Sequence, residues 1–212
     1  MLVDIHTHSN HSVDNHLSVI NLTFDEAEDF FSSDKQDLCS VGIHPWHADA
    51  FSEDMISKLE VWAKDERFIA VGECGLDKNS NTNFEKQLSI FEAQIAISEK
   101  LKKPLIIHCV GYFNELFTLK KKWNPSQLWI IHGFRGKPEL AAQALKSGCT
   151  LSYGKHFNAE SVRLTPTDKL FVETDDSKLD ISDIYQTIAI LKACKIEDLS
   201  AGMHLLKKMI QR

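Results

Sequence analysis

The feature that most constrains the fold of this chain is an alternation between short apolar runs and segments with helical periodicity. The apolar runs are rich in β-branched side chains and occur at residues 2–5, 17–22, 38–43, 68–71, 105–107, 128–131, 150–153 and 170–172. Such runs are typical of strands that are buried on both faces. Between most of them, apolar residues recur three or four positions apart, as in Leu88, Phe91 and Ile95. The alternation predicts a parallel sheet covered by helices.

The number of apolar runs and the lack of a Gly-rich phosphate loop after the first run indicate how the sheet is arranged. Eight strands suit a sheet that closes on itself, whereas an open doubly wound sheet normally has a Gly-rich phosphate loop after its first strand, and none follows Ile5. Residues 9–16 between the first two runs are too few for a crossover helix, which needs about 10–12 residues or more. We therefore predict an α/β fold, a slightly reduced TIM-like (β/α)-barrel whose first crossover helix is missing or replaced by a loop.

Capping residues mark the ends of several predicted helices. Ser52, Asn83 and Asp180 stand where helices are predicted to begin, and their side chains suit the N-cap position. Gly148 stands where the helix that begins near Lys137 is predicted to end. After the last strand we predict two more helices, at 181–193 and 197–210.

Length and composition indicate one globular domain. The chain has 212 residues, of which 43% are apolar and 25% are charged, and such a chain can bury a sizeable core. We predict a single barrel domain over residues 1–212. The formal net charge of −6 argues against a protein that coats long nucleic acid with its whole surface.

Cysteine usage and the apolar runs bear on the compartment. The five cysteines are odd in number and widely spaced, without a C-x-x-C pair, which argues against a disulfide framework and against a thiolate zinc site. The first residues carry no basic flank, and no apolar run reaches the roughly 18 residues of a membrane span. We expect a cytoplasmic protein with no signal peptide, no membrane association and no obligate protein partner.

Histidines and carboxylates stand at or just past the ends of the apolar runs. They are His6, His8, His44, Glu73, His108, His132 and Asp175. In a barrel the carboxyl ends of all strands meet on one face, where barrel enzymes place their catalytic groups. Several imidazoles on that face would repel one another when protonated, so a cation is their natural organiser. Imidazole and carboxylate ligands suit zinc, manganese or iron better than calcium.

The two carboxylates carry the most weight in this pattern. Glu73 and Asp175 each follow a buried strand, where an unpaired carboxylate costs several kcal/mol of desolvation. A single histidine such as His108 equally suits a hydrogen-bonded core position, and a His-x-His pair such as His6 with His8 often arises by chance. The joint occurrence at one end of one barrel is what predicts a metal site.

These residues lie in motifs that resemble the successive motifs of the TatD-related deoxyribonuclease family. In the family's order they are VDIHTH at 3–8, GIHP at 42–45, GECGLD at 72–77, IH at 107–108, IHGFRG at 131–136 and ETD at 173–175. Gln87 also matches the helix that follows the Gly-Leu-Asp motif in the family. The resemblance extends from residue 1 to about residue 176.

The resemblance implies a two-metal barrel in which Glu73 bridges the ions. The implied ligands of the first ion are His6, His8, Glu73 and Asp175, and those of the second are Glu73, His108 and His132. We expect one or two divalent ions per chain, with zinc, manganese and magnesium as the candidates.

The leading hypothesis for function is hydrolysis of a phosphodiester in DNA by a metal-activated water. Asp175 would orient or deprotonate the water, Glu73 would hold the ions, and His44 would contact the phosphoryl oxygen or the leaving group. Arg135 and Lys155 would supply local positive charge to the substrate. Nucleic acid is therefore the expected substrate.

The chain departs from the family's pattern in ways that bear on the substrate. The family has a helix between its first two strands, an arginine just after the histidine of the fifth strand, and a proline-containing loop with a basic residue after the last motif. Here Val110 and Gly111 follow Cys109, with no arginine. The segment 176–179 after the last motif is short and contains no proline, and His204 stands where an asparagine is typical. Missing basic groups weaken phosphate binding before they weaken metal binding.

Three alternative functions use the same residues. Residues 4–9 with Ser12 and Asp14 also resemble the opening of the polymerase-and-histidinol-phosphatase family, which implies a small phosphate ester as substrate. A metal site of this kind also suits C–N or C–O hydrolysis of the amidohydrolase type. The third alternative is a metal-binding barrel without activity.

Overall fold

The computed structural model describes residues 1–9 and 16–210, with side chains through residue 208. The predicted loop between the first two strands falls largely on residues 10–15, outside the described residues. Ser12 and Asp14, which carry the resemblance to the phosphatase family, also lie outside them.

Eight strands form one sheet in the order of the sequence. They are β1 Leu2–Thr7, β2 His16–Leu22, β3 Leu38–Val41, β4 Phe68–Asp77, β5 Leu105–Val110, β6 Trp129–Ile131, β7 Thr150–Tyr153 and β8 Leu170–Val172. The described ladders between β1 and β2, β3 and β4, β4 and β5, β6 and β7, and β7 and β8 are all parallel. A parallel bridge between Thr7 and Asp175 links the end of β1 to the segment after β8. The predicted (β/α)-barrel class is confirmed.

Helices follow most of the strands. Among the described residues the α-helices are α1 Phe24–Phe31, α2 Glu53–Trp62, α3 Phe84–Leu101, α4 Phe113–Trp123, α5 Pro138–Lys146, α6 Ala159–Leu164, α7 Ile181–Lys192 and α8 Ala201–Ile210. Short 3₁₀ helices occupy Pro45–Ala50, Thr167–Lys169 and Ile196–Asp198. None of the described helices is both long and apolar enough to cross a membrane. The cytoplasmic location stays a prediction.

The three predicted helix starts are correct, and two of the three side chains make a capping hydrogen bond. Asn83 accepts a hydrogen bond from the backbone N–H of Lys86, and Asp180 accepts one from that of Ser182. Ser52 occupies the N-cap of α2, but its side chain makes no capping hydrogen bond.

The start of the last helix was predicted too early, at residue 197. The Asp198 side chain accepts a hydrogen bond from the backbone N–H of Lys195 over 2.9 Å. This contact closes the separate 3₁₀ turn Ile196–Asp198, and α8 begins only at Ala201.

The chain divides into two compact units. The first contains Met1–Ile20 and Ile130–Arg212, and the second contains Asn21–Trp129. In the first unit, the strand β1 packs against α7, α8 and β8. In the second unit, β4 packs against β3, β5 and α3, and every residue of β4 is buried. The single-domain organisation of residues 1–212 stays a prediction.

The described cysteines behave as reduced core residues. All five are thiols outside any disulfide, and Cys39, Cys74, Cys109 and Cys149 are buried. Burial raises the pKa of the Cys39 thiol to about 12. A buried thiol with a raised pKa is a poor nucleophile and a poor metal ligand, which agrees with a site built from histidines and carboxylates.

Candidate active site

The first ligand group lies in the first unit and brings together residues that are far apart in the sequence. His6 and His8 come from the end of β1, and Asp175 comes from the segment after β8. The Nε2 atoms of His6 and His8 lie 3.7 and 3.5 Å from Oδ1 of Asp175. His6 is fully buried, whereas the His8 side chain is 43% exposed. The group therefore has a buried side and a side open to solvent.

Main-chain hydrogen bonds hold this group together independently of its side chains. The amide of Asp175 donates to the carbonyl oxygen of His6 over 3.0 Å, and the amide of His8 donates to the carbonyl oxygen of Asp175 over 3.1 Å. Asp175 has a positive φ of 55°, a left-handed conformation that Asp and Asn tolerate better than most residues. The turn at Asp175 aims its carboxylate at the two imidazoles.

His132 and Glu173 extend the group within the first unit. His132 follows β6, and its ring centroid lies 4.4 Å from that of His6. Glu173 is fully buried, and its Oε1 lies 3.6 Å from Nδ1 of His132 while accepting a hydrogen bond from the amide of Gly133 over 2.6 Å. Burial acts to raise the pKa of Glu173, but the contacts with His132 and the charge of His6 outweigh it and lower the pKa. A carboxylate is therefore maintained beside two imidazoles.

Asp4 anchors the segment that carries Glu173 and Asp175. Its two carboxylate oxygens lie 3.0 Å from the amide nitrogen and 2.6 Å from the hydroxyl oxygen of Thr174. Asp4 is buried, and burial is the main cause that raises its pKa to about 7. Because these bonds hold the residue between Glu173 and Asp175, Asp4 positions both carboxylates.

The second ligand group lies in the second unit and combines three strands. Oε1 of Glu73 lies 3.5 Å from Nε2 of His44 and 3.0 Å from Nδ1 of His108. Glu73 was expected just after a buried strand, but β4 continues through it to Asp77. The β4 to β5 register shifts between Val71 and Cys74, and this irregularity allows the strand to continue while Glu73 faces the histidines.

A glycine explains how β4 approaches β5 so closely at this point. Gly75 has a φ of +139°, and a Cβ atom there would lie 2.0 Å from the carbonyl oxygen of His108. Only glycine fits both the conformation and the space. Gly75, the second glycine of the GECGLD motif, therefore allows the backbone that carries Glu73 to lie against the backbone that carries His108.

Asp77 orients His108 and is a residue that the sequence analysis did not assign. Its Oδ2 lies 2.7 Å from Nε2 of His108 and accepts a hydrogen bond from the indole of Trp46 over 2.8 Å. Burial acts to raise the pKa of Asp77, but hydrogen bonds from the Asn79 amide, His108 and Trp46 outweigh it and lower the pKa. The tautomer of His108 that donates from Nε2 to Asp77 would leave the Nδ1 lone pair for a cation held beside Glu73, as in many metal-binding histidines.

The tautomer of His44 follows from its neighbours. Its Nδ1 accepts a hydrogen bond from the backbone N–H of Trp46 over 3.1 Å. Burial lowers the pKa of His44, so the ring is neutral near pH 7 and carries its proton on Nε2. His44 is therefore a hydrogen-bond donor at the atom that faces Glu73.

The first group offers two imidazoles and a carboxylate to a divalent transition metal, and the second offers Glu73 and His108, because Trp46 and Glu73 engage both ring nitrogens of His44. The potential ligand atoms of His6, His8 and Asp175 all lie within 4.8 Å of one another. The same is true of those of His44, Glu73 and His108. Tetrahedral coordination at bond lengths of 2.0–2.1 Å places ligand atoms about 3.3–3.4 Å apart, close to the 3.5 and 3.7 Å found around Asp175. Imidazole nitrogen and carboxylate oxygen suit zinc or manganese. The bridging of two ions by Glu73 stays a prediction.

A cavity of about 410 Å³ opens beside Asp175 in the first unit. Arg135, Lys155 and Lys178 line it together with Asp175, and all three cationic residues are exposed. The predicted substrate contacts Arg135 and Lys155 therefore share one cavity with the predicted base. Lys178 was not assigned from the sequence, although it lies in the short segment that follows Asp175.

The strand order and the two groups of histidines and carboxylates define a metal-binding (β/α)-barrel. A sequence model of the TatD related DNase family matches residues 10–201, and the chain belongs to this family.

Curated relatives and solved structures agree with this assignment. The chain is 35% identical over 147 residues to the 3'-5' ssDNA/RNA exonuclease TatD of Erwinia amylovora, and the match covers 64% of the chain and 56% of the relative. It is 30% identical over 159 residues to an uncharacterized metal-dependent hydrolase of Buchnera aphidicola, with 71% and 60% covered. The chain thus spans little more than half the length of these relatives.

The fold is that of two solved members of the family. The crystal structure of the TatD homologue YJJV from Escherichia coli K12 superposes with a TM-score of 0.82 at 17% identity, over 99% of this chain and 97% of the other. A TatD family hydrolase from Entamoeba histolytica superposes with a TM-score of 0.76 at 15% identity, over 98% and 97%. At these identities the likeness establishes the fold alone.

Proposed function

We propose that this protein is a divalent-metal-dependent phosphodiesterase that removes nucleotides from the 3′ end of single-stranded DNA or RNA. The observation that carries the proposal is that each unit holds a histidine–carboxylate group, with Asp175 facing a cavity lined by Arg135, Lys155 and Lys178. A carboxylate that can activate a water molecule, placed beside cationic side chains, suits the hydrolysis of an anionic ester. The relatives named as 3'-5' ssDNA/RNA exonucleases support the substrate class and the polarity.

The residues proposed to hold the ions are His6, His8, Glu73, His108, His132 and Asp175. Glu173 is fully buried beside His132, and we propose that it orients the His132 ring. When bound, divalent ions lower the pKa of water and neutralise charge on phosphoryl oxygens. Zinc and manganese suit the imidazole-rich donor set better than magnesium, which prefers oxygen ligands.

Asp175 has the position required of a general base. Its carboxylate is 23% exposed and lines the cavity, so a water molecule can reach it from the substrate side. Its backbone is fixed by bonds to His6 and His8. A carboxylate held in place by main-chain contacts accepts a proton without first reorienting its chain, which is the arrangement that favours general base catalysis.

His44 has the protonation state required of a donor to the phosphoryl group. Its neutral ring carries a proton on Nε2, because Nδ1 accepts the Trp46 amide proton. A donor at Nε2 stabilises charge that develops on a phosphoryl oxygen or on the leaving oxygen. Arg135 and Lys155 are proposed to hold the phosphates of neighbouring nucleotides.

The test is an assay of the purified protein with zinc, manganese and magnesium on 5′-labelled single-stranded DNA, duplex DNA, single-stranded RNA and a panel of small phosphate esters. We expect a ladder of products shortened one nucleotide at a time from the 3′ end of the single strands, with little cleavage of the duplex. The Asp175→Asn variant is the control for contaminating nucleases. Activity on small phosphate esters without activity on any polynucleotide would favour the phosphatase alternative.

A further inference from the structure

Trp46 differs from the other large apolar residues of the second unit because it is both exposed and fixed. Its side chain is 60% exposed. Single exposed apolar residues are common on protein surfaces, so exposure alone carries no meaning. The indole N–H, however, donates to the buried Asp77 carboxylate over 2.8 Å. The ring is therefore held in one orientation by a buried acceptor while most of its surface faces solvent.

The position of this ring relates it to the proposed chemistry. Trp46 is the second residue of the 3₁₀ helix Pro45–Ala50, and its ring centroid lies 5.4 Å from that of His44 in an edge-to-face arrangement. Asp77, which holds the indole, also binds His108. The exposed ring is thus fixed directly beside the histidine proposed to contact the phosphoryl group.

We propose that Trp46 is a stacking platform for a base of a single-stranded polynucleotide, next to the phosphodiester that is cleaved. This inference rests on the proposed function and extends it to the recognition of the substrate. An aromatic face binds any base, because every base has a π-face, and it selects single strands because the faces of paired bases are covered by their neighbours. The bond to Asp77 fixes the ring before substrate binds, so little side-chain freedom is lost on binding.

The proposed platform and the cationic cavity suit different parts of a nucleic acid. Arg135, Lys155 and Lys178 carry positive charge suited to phosphates, which every nucleic acid carries. Trp46 contacts the base and is insensitive to backbone charge. Removing a base from the substrate therefore eliminates the contribution of Trp46 and leaves every phosphate contact in place.

The experiment measures binding of a 5′-fluorescein single-stranded oligonucleotide by fluorescence anisotropy, with manganese present. All proteins carry Asp175→Asn, so that the oligonucleotide is not consumed. A second oligonucleotide of the same length has abasic residues at its three terminal positions on the 3′ side. Trp46→Ala removes the platform, and Trp46→Phe keeps an aromatic face but loses the bond to Asp77. Trp123→Phe, whose indole N–H donates to Glu92, is the matched control.

Stacking on one aromatic side chain corresponds to a change in Kd of about 5- to 150-fold. We expect Trp46→Ala to weaken binding of the intact oligonucleotide by a factor in that range and to leave binding of the abasic oligonucleotide unchanged. Trp46→Phe should lie between Trp46→Ala and the parent, and Trp123→Phe should equal the parent. The abasic oligonucleotide should bind the parent as weakly as the intact one binds Trp46→Ala.

Three outcomes would overturn the proposal. Equal binding of intact and abasic oligonucleotides by the parent would do so without any variant, even if Trp46→Ala fails to fold. Equal weakening of both oligonucleotides by Trp46→Ala would assign Trp46 a structural role through Asp77. Binding of neither oligonucleotide by the parent would also contradict the proposed function, whereas the first two outcomes leave that function standing.

Discussion

The backbone amide of Asp175 donates a hydrogen bond to the carbonyl oxygen of His6 over 3.0 Å, so two proposed metal ligands are joined through the main chain. The positions of their Cα atoms therefore do not depend on their side chains. Substitutions that preserve the backbone at these positions change the chemistry of the site and leave its framework intact. This relationship makes the site suitable for separating metal binding from catalysis.

Asp175→Asn should retain metal and lose activity. Asn tolerates the left-handed conformation found at residue 175, and its amide oxygen still reaches the imidazoles. It cannot accept a proton as a base, which corresponds to a loss of about 10²- to 10⁴-fold in kcat. Metal content is measured by elemental analysis and kcat on single-stranded DNA. Wild-type activity together with wild-type metal content would contradict the proposed role of Asp175.

Glu73→Ala should lose metal as well as activity. Glu73 contacts both His44 and His108, and its removal leaves these imidazoles without a carboxylate between them. If Glu73 bridges two ions, the variant retains at most one. Metal per chain should then be lower in Glu73→Ala than in Asp175→Asn, with both variants nearly inactive. Equal metal content in the two variants would argue against the bridge.

Asp77→Asn should weaken metal binding without removing a ligand. The carboxylate accepts from His108, Trp46 and the Asn79 amide, and an amide group at this position offers one acceptor oxygen instead of two. Loss of such an outer partner commonly lowers metal affinity by about 10- to 100-fold. Isothermal titration with zinc measures the affinity, and ring ¹⁵N chemical shifts report the tautomer of His108.

The matched control for Asp77 is Asp49→Asn, because Asp49 is an exposed carboxylate of the same unit, paired with Lys86. It should bind zinc as the wild type does. A normal affinity in Asp77→Asn, with ring ¹⁵N shifts of His108 equal to those of the wild type, would show that Asp77 does not position this ligand.

Arg135→Ala and Lys155→Ala should raise KM for single-stranded oligonucleotides with a small effect on kcat. Each phosphate contact that is lost should also reduce the slope of log K against log salt by about 0.7. Lys146→Ala is the control, because Lys146 ends α5 before β7, whereas Lys155 follows β7 at its other end. A change confined to kcat, with an unaltered salt slope, would place these residues outside the substrate path.

Removal of metal should lower the thermal stability of the protein. Ions that bind only the folded state stabilise it by RT ln(1 + [L]/Kd), about 2.7 kcal/mol at 100 times Kd. Dialysis against a chelator should lower Tm, and added zinc or manganese should restore it. The double variant His6→Ala/His8→Ala should show a smaller shift. An identical shift in the double variant would indicate that the metal binds elsewhere.

Much of the fold was predictable because its signals are local. The alternation of apolar runs with helical segments located the strands, and the side chains of Asn83 and Asp180 located two helix starts. The helix α1 was not identified, although Thr23 and Glu26 form a capping box that the sequence displays as T-x-x-E. Its eight residues carry a short periodic pattern, which is weaker evidence than the long pattern of α3.

The candidate ligands were predictable from their positions after strands, but their supporting residues were not. Asp77 and Glu173 lie within quoted motifs, yet nothing in the sequence indicates that one faces Nε2 of His108 and the other Nδ1 of His132. Such contacts depend on side-chain direction across neighbouring strands. The irregular register around Glu73 also shifts the strict alternation of side chains, so the period of two does not assign the faces of β4.

The composition of the first unit has a consequence for how the protein is made. The bond between Asp4 and Thr174 joins residues 170 positions apart, and His6 and His8 depend on the same late segment. At about 5–20 residues per second, the ribosome delivers that segment roughly 8–34 s after the first ligands are synthesised. Residues 21–129 form a continuous stretch, so all the partners within the second unit exist before that segment is made. The first ligand group is completed only once the segment after β8 has been synthesised, and we therefore expect this group to acquire metal late in the biogenesis of the protein.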